Sequence, residues 1–448
     1  MLNVNITPHR EFLPADAPEQ KLFIMLKLRP TKEVAATRPS TTFALVIDTS
    51  GSMYEVVSGE PQLTGNTVFL DGQEYKEATG AKSKLDIVIE SLLNLVRSGK
   101  LNQSDRVSIV QFDNQASTLI GLTPATQVSQ LEAAIAKLRD FSGGTHMGLG
   151  MQEALNMLSG QDMTIRRTLL FTDGQTFDDD KCRELAKQFA TSNIPITALG
   201  IGEYNEDLLI HLSDATGGEV LHVVPGNPTG TQVSITTLPD KIAAEFIQAQ
   251  QEVITNLALN VKTVKGVKLT RIVRAYPSQA EFSLIQEPYP IGNAAANDQT
   301  VFILEFTINP RDASKVRIAQ LGLTYDVPGQ NRRGELPPQN VVVQFVAGQM
   351  AAQVDQEVMG YVQQCNIAQL VGEATRVAEQ NPQRAEELLE TACRMTQRLG
   401  NQAMTESLES AQNELRKTRK LSSGTRKTVK IGSKGKTVKM SDDLTDEF

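Results

Sequence analysis

The 448-residue chain has no tryptophan, three cysteines and four histidines. Three scattered thiols, Cys182, Cys365 and Cys393, do not make the paired framework of a disulfide scaffold. The histidines His9, His146, His211 and His222 show no spacing that would assemble a zinc site. No apolar run approaches the roughly 18 residues of a membrane-spanning helix, and the first seven residues have neither a basic start nor an apolar signal core. A cytoplasmic protein without a membrane span is the expectation. The formal net charge is −8, so an excess of basic residues is lacking too, which argues against a general nucleic-acid binder. No phosphate-cradling glycine loop follows a strand-like run, and Thr49-Ser50-Gly51-Ser52 is not a nucleophile elbow. With neither nucleotide binding nor nucleophilic catalysis indicated, the chain reads as non-enzymatic.

What is present divides the chain. Residues 1–38 carry strand patterns with no helix between them: Leu2, Val4 and Ile6 alternate with polar residues, and a second apolar run covers 21–28. From residue 39 to 236 strands and amphipathic helices alternate, the pattern of a doubly wound α/β domain. Strands are expected at 42–48, 106–112, 167–172, 196–201 and 219–223, with a short antiparallel edge strand at 117–122. Helices are expected at 83–98, 128–138, 148–159, 179–193 and 205–215. Residues 54–82 form an insertion holding a hairpin that turns at Asp71-Gly72. A helix at 237–254 reads as a connector. Strand patterns return over 255–348, and the simplest arrangement joins them to 1–38 as a discontinuous β-sandwich into which the α/β domain is inserted. Residues 349–419 are helical, with Pro382 opening a second helix and Gly400 stopping it. Residues 420–448 are basic and then acidic, with too little apolar surface to order themselves, and read as a disordered tail.

The run Phe43-Ala44-Leu45-Val46-Ile47 is a strand buried on both faces, ending in Asp48-Thr49-Ser50-Gly51-Ser52. One carboxylate and two hydroxyls, all hard oxygens, suit a small hard cation. Two further stretches can supply oxygens from neighbouring strand ends. Gly143-Gly144-Thr145 presents a hydroxyl just before a helix, and Phe171-Thr172-Asp173-Gly174 ends an apolar strand in a carboxylate. In this order and context, D-x-S-x-S, G-G-T and T-D-G resemble the metal-ion-dependent adhesion site of the von Willebrand factor type A family, over about residues 41–225. The resemblance implies an intact site of Asp48, Ser50, Ser52, Thr145 and Asp173. The ion it implies is Mg2+, with Mn2+ or Ca2+ as alternatives. The three hydroxyls would ligate directly and the two aspartates mostly through water. The remaining position would capture an acidic residue of a partner protein, so the chain would act as a metal-dependent scaffold or adaptor. The insertion departs from the family pattern and could lid the ion or add a ligand from Asp71 or Glu74.

Two other readings belong to different classes: an accessory subunit of an AAA+ chelatase or chaperone-like machine, and an adhesion or channel-associated protein, which the lack of a span disfavours. In the tail, Lys427-Thr428-Val429-Lys430 recurs as Lys436-Thr437-Val438-Lys439. Thr425, Thr428 and Thr437 are thereby candidate phosphorylation sites for a Ser/Thr kinase. Thr428 with Ile431 resembles the pattern read by forkhead-associated domains, a bacterial arrangement, though a plainly solvated basic tail accounts for the same residues. The acidic stretch Asp442 to Glu447 could instead fill another copy's metal site.

Overall fold

A computed structural model describes residues 1–15, 17–70, 72–348 and 353–440. The chain forms two compact units, Arg38–Gln251 and, from its two ends, Met1–Thr37 with Glu252–Phe448.

The Arg38–Gln251 unit is built on a seven-stranded sheet. Its order is Val233–Ser234, Val220–Val224, Ile196–Ile201, Ile165–Thr172, Thr41–Asp48, Arg106–Phe112 and Ala116–Pro124. Every pairing is parallel except the last, where Ala116–Pro124 runs antiparallel at the edge. All eight residues of Thr41–Asp48 are buried, as its unbroken apolar run requires. From this strand the order proceeds one way through Arg106–Phe112 and the other through Ile165–Thr172. A sheet that switches direction leaves a crevice at the carboxyl end of the switching strand. Asp48 occupies that end.

The helix Leu238–Gln250 belongs to this unit and is not a connector. Leu238, Ile242 and Phe246 are buried in the same core as the first strand, and Phe246 stacks on Phe43 with ring centroids 3.8 Å apart. An amphipathic stripe shows that a helix is covered but not by what, so sequence alone set its boundary too early.

The insertion is longer than the expected hairpin. It is a two-stranded antiparallel ribbon, Val56–Leu70 with Gln73–Ser83. Its strands cross closely at Gly59, where a Cβ would lie 2.2 Å from the Gly80 carbonyl oxygen. Ser83 then caps the helix Lys84–Arg97 through a reciprocal hydrogen-bond pair with Asp86.

The second unit contains two five-stranded sheets. One has the order Leu2–Pro8, Gln20–Pro30, Thr300–Ile308, Val267–Tyr276 and Ala280–Phe282. The other has the order Tyr289–Ala295, Glu252–Thr263, Lys315–Val327, Arg332–Val346 and Phe12–Pro14. Leu22, Ile24 and Leu26 share one apolar core with Phe302, Leu304, Ile318 and Leu321. The early strand Gln20–Pro30 pairs with the late strand Thr300–Ile308 from Gln20↔Ile308 to Leu28↔Thr300.

Among the described residues four helices follow: Gln356–Val377, Pro382–Leu399, Gln402–Thr418 and Ser423–Gly432. The last corrects the tail expected over 420–448 as far as residue 440. Val429 is fully buried against Val371, Leu389 and Leu415. Beyond the helix the chain stays docked. The Thr437 N–H donates to the Pro277 carbonyl at 3.0 Å. The Gln364 amide both donates to and accepts from the Val438 backbone, at 2.7 Å each. The Met440 N–H donates to the Tyr361 hydroxyl at 3.2 Å. A few apolar anchors and satisfied main-chain groups outweigh the abundance of charge. The acidic stretch after Met440 lies outside the described residues.

The threonines singled out in this segment are engaged. The Thr425 hydroxyl donates to the Glu414 carboxylate. Thr428 is buried and its hydroxyl donates to the Gly424 carbonyl at 2.8 Å. The Thr437 hydroxyl donates to the Pro277 carbonyl at 3.1 Å. A kinase would meet Thr428 only after the helix opened, so an exposed flexible segment is not what surrounds it.

Candidate metal centre

The centre begins with Asp48, fully buried at the switching strand's end. One carboxylate oxygen accepts the Ser50 N–H at 2.8 Å and the other accepts the Thr172 hydroxyl at 2.7 Å. Burial and the nearby Asp173 carboxylate push the Asp48 pKa up to about 7, against the opposing hydrogen bonds from Ser50 and Thr172. Thr49 turns away and donates to the Gln111 side chain at 2.9 Å, which leaves Ser50 and Ser52 on the other side of the turn.

The two serine hydroxyls lie 3.2 Å apart, and Ser52 Oγ donates to Asp173 Oδ1 at 2.8 Å. Thr145 arrives from the loop before the helix Met147–Leu158. Hydrogen bonds fasten that loop: Gly51 N–H to the Gly143 carbonyl at 3.0 Å, Gly144 N–H to Asn114 Oδ1 at 3.0 Å, His146 N–H to the Asp113 carbonyl at 2.9 Å, and both the Thr176 hydroxyl, at 3.1 Å, and the Phe177 N–H, at 2.9 Å, to the Thr145 carbonyl. Gly174 adjoins the Ser52 and Thr145 hydroxyls. A Cβ there would sit 3.7 Å from Ser52 Oγ and 3.8 Å from Thr145 Oγ1. The five residues expected from sequence therefore gather at one place, with Ser50, Ser52 and Asp173 in a continuous chain of contacts, Thr145 across Gly174, and Asp48 behind them.

Lys84 was not foreseen. It is the first residue of the helix Lys84–Arg97, and its ammonium lies 2.7 Å from Asp173 Oδ2 and 2.5 Å from Glu55 Oε2. Burial alone would lower its pKa, but the hydrogen bonds to Asp173 and Glu55 outweigh that and raise it. The S-x-x-D capping pattern at 83–86 was the available signal, since it places Lys84 at a helix start after the insertion.

The ribbon contributes an anchor close by. Tyr75 Oη lies 2.6 Å from the Ser142 hydroxyl and its ring 5.0 Å from that of Tyr54. Glu74 is exposed on the ribbon, and Asp71 lies outside the described residues. Next to the Gly143–Thr145 loop opens a polar cleft of about 320 Å³ lined in part by Asp113, Asn114, Asp140 and Ser142.

The donor set is made of hydroxyls and two carboxylates. Among the described residues no group of three or more His, Cys, Asp or Glu side chains could hold a metal ion, so a cation here would depend on serine and threonine oxygens. All three cysteines are buried, and burial raises each thiol, that of Cys365 to about 12. They are thereby unsuited to attack. Among the described residues no helix is long and apolar enough to cross a membrane.

Comparison with known proteins bears on the fold around this centre. Residues 43–226 match the von Willebrand factor type A domain, and residues 356–439 match the C-terminal α-helical domain of Sll0103-like proteins. The chain is 22% identical over 442 residues to the protein sll0103 of Synechocystis sp., covering 94% of each. Among solved structures, a von Willebrand factor type A protein from Catenulispora acidiphila superposes with a TM-score of 0.73 at 15% identity, over 98% of this chain and 97% of that one. The ArnB paralog VWA2 from Sulfolobus acidocaldarius superposes with a TM-score of 0.60 at 14% identity, over 96% and 97%. At such identities the likeness is one of fold. The α/β unit is a von Willebrand factor type A domain, and a C-terminal helical domain of the Sll0103 type accompanies it.

Proposed function

We propose that this chain is a non-enzymatic adaptor in which Asp48, Ser50, Ser52, Thr145 and Asp173 hold one divalent cation, Mg2+ in preference, and through it a carboxylate of a partner protein. The observation that carries the reading is the contact chain Ser50–Ser52–Asp173, with Thr145 across Gly174, at the sheet's switch point. The fit is chemical: every donor is a hard oxygen, as Mg2+ requires. When bound, the ion would supply a positive charge with an open coordination position that an Asp or Glu side chain can fill.

The chain's own residues do the rest. Asp48 holds the Ser50 backbone and the Thr172 hydroxyl, fixing the turn from behind. The fastened loop Gly143–His146 keeps Thr145 in place before any partner arrives. Such preorganisation lowers the ordering cost of binding. The neighbouring cleft offers room for the chain that flanks the partner's acidic residue.

Capture of partners from the native cell extract by the full chain, with Mg2+ or with EDTA, tests this. Partners released by EDTA and absent with Asp48→Asn are expected. Partners retained under both conditions would remove metal-dependent capture.

A further inference from the structure

We propose that Lys84 is a built-in counter-cation of the metal centre, holding Asp173 in the metal-free protein and weakening divalent binding. The inference rests on the reading that the five residues hold a divalent ion, and it concerns a residue outside that set.

The geometry is specific. The Lys84 side chain is 7% exposed and the Asp173 side chain 0%, with the ammonium 2.7 Å from Asp173 Oδ2. Its position is imposed by the backbone, because the Ser83–Asp86 capping pair fixes where the helix starts. This is no surface ion pair of small consequence. A carboxylate removed from water needs a compensating charge, and breaking such a pair leaves one uncompensated. Lys84 supplies that charge.

The same placement works against a divalent ion. Both Asp173 oxygens are in use, Oδ1 by the Ser52 hydroxyl and Oδ2 by Lys84. An incoming cation must share them and tolerate an ammonium hydrogen-bonded to one of its own donors. Of the two formal negative charges of Asp48 and Asp173, Lys84 cancels one. Glu55 tempers the effect: its side chain is 68% exposed and it lies 2.5 Å from the ammonium, so Lys84 divides its charge between a buried and an exposed carboxylate. Low effective dielectric makes such like-charge repulsion larger than it would be in water.

The test uses the full chain and Mn2+ alone as probe, with free Mn2+ followed by electron paramagnetic resonance and thermal unfolding recorded with and without the ion. Lys84→Met is expected to bind Mn2+ on the order of tenfold more tightly than the parent chain. It is also expected to lose stability without Mn2+ and regain it with Mn2+, which a merely structural lysine would not produce. Should Lys84→Met fail to fold, Glu55→Gln serves. With its second partner gone, Lys84 turns wholly to Asp173, and Mn2+ binding is expected to weaken by about two- to fivefold; unchanged or tighter binding would overturn the proposal. If the parent binds Mn2+ and Lys84→Met binds it no tighter, the role of Lys84 falls and the metal centre stands. If only Lys84→Met binds, the lysine's role holds and metal capture by the parent falls. If neither binds, both fall.

Discussion

The turn Asp48–Ser52 and the segment 423–440 are both polar and rich in small residues, yet the fold orders them by opposite means. The turn hangs from a strand buried along its whole length and is fixed by side chains: the carboxylates of Asp48 and Asp173, the hydroxyls of Thr49, Ser50, Ser52 and Thr172, and the Gln111 amide, drawn from three separate stretches of the chain. The segment is fixed chiefly by its main chain and a few apolar plugs, with the hydroxyls of Thr425, Thr428 and Thr437 in support. Val429 and Met440 are buried, and Gln364 and Tyr361 take up its backbone groups. The difference separates two kinds of sensitivity. Substitution in the turn should change ion binding before stability, and substitution in the segment should change stability alone.

The largest expected effect lies in the segment. Val429→Asp puts an unpaired charge into the helical core and should cost roughly 3–5 kcal/mol, read as a lower denaturation midpoint and early cleavage after residue 419; unaltered protease resistance would mean that Val429 does not hold the helix. Next comes the turn. Asp48→Asn keeps the shape but not the charge, and should weaken Mn2+ binding on the order of a hundredfold, equivalent to about 2.7 kcal/mol, while the denaturation midpoint moves little. A large loss of stability with intact binding would invert the comparison. Tyr361→Phe removes the partner of both the Met440 N–H and the Gln299 amide. It should cost about 1 kcal/mol in denaturant unfolding and leave Mn2+ affinity unchanged. The smallest effect is expected for Tyr75→Phe, which deletes the bond to Ser142. About 0.5–1 kcal/mol of local stability should go, visible as faster amide exchange in the ribbon and in the Gly143–Thr145 loop.

The centre was legible because its parts are local signals repeated three times. An unbroken apolar run announces a buried strand, and a small polar residue after it announces a strand end. Asp48, Thr145 and Asp173 each follow such a strand or precede a helix. Lys84 was not legible, because its meaning depends on Asp173, 89 residues away. The same holds for the C-terminal segment, whose partners Pro277, Tyr361 and Gln364 are remote in sequence. Composition weighed its charges and could not see the sites that receive Val429, Val438 and Met440. The two copies of Lys-Thr-Val-Lys make the point directly. The first lies within a helix and the second in an extended run that docks at Pro277. The ribbon was underestimated for a different reason. Its strands are exposed over most of their length, so no alternation of apolar and polar residues marked where they begin.

The pairing of Gln20–Pro30 with Thr300–Ile308 also sets a timetable for synthesis. The early strand leaves the ribosome about 270 residues before its partner (300 − 30 = 270). At the usual 5–20 residues per second that is a wait of roughly 14–54 s. Through that interval one edge of the nascent strand has its hairpin neighbour Leu2–Pro8, while the other edge and the apolar face of Leu22, Ile24 and Leu26 stay uncovered. The von Willebrand factor type A domain, whose strands all lie between Thr41 and Ser234, can close within that window. The protein is thus born with its α/β unit complete and its second unit unfinished, and the guard on that waiting edge is the pair of lysines, Lys21 and Lys27, set along the strand itself.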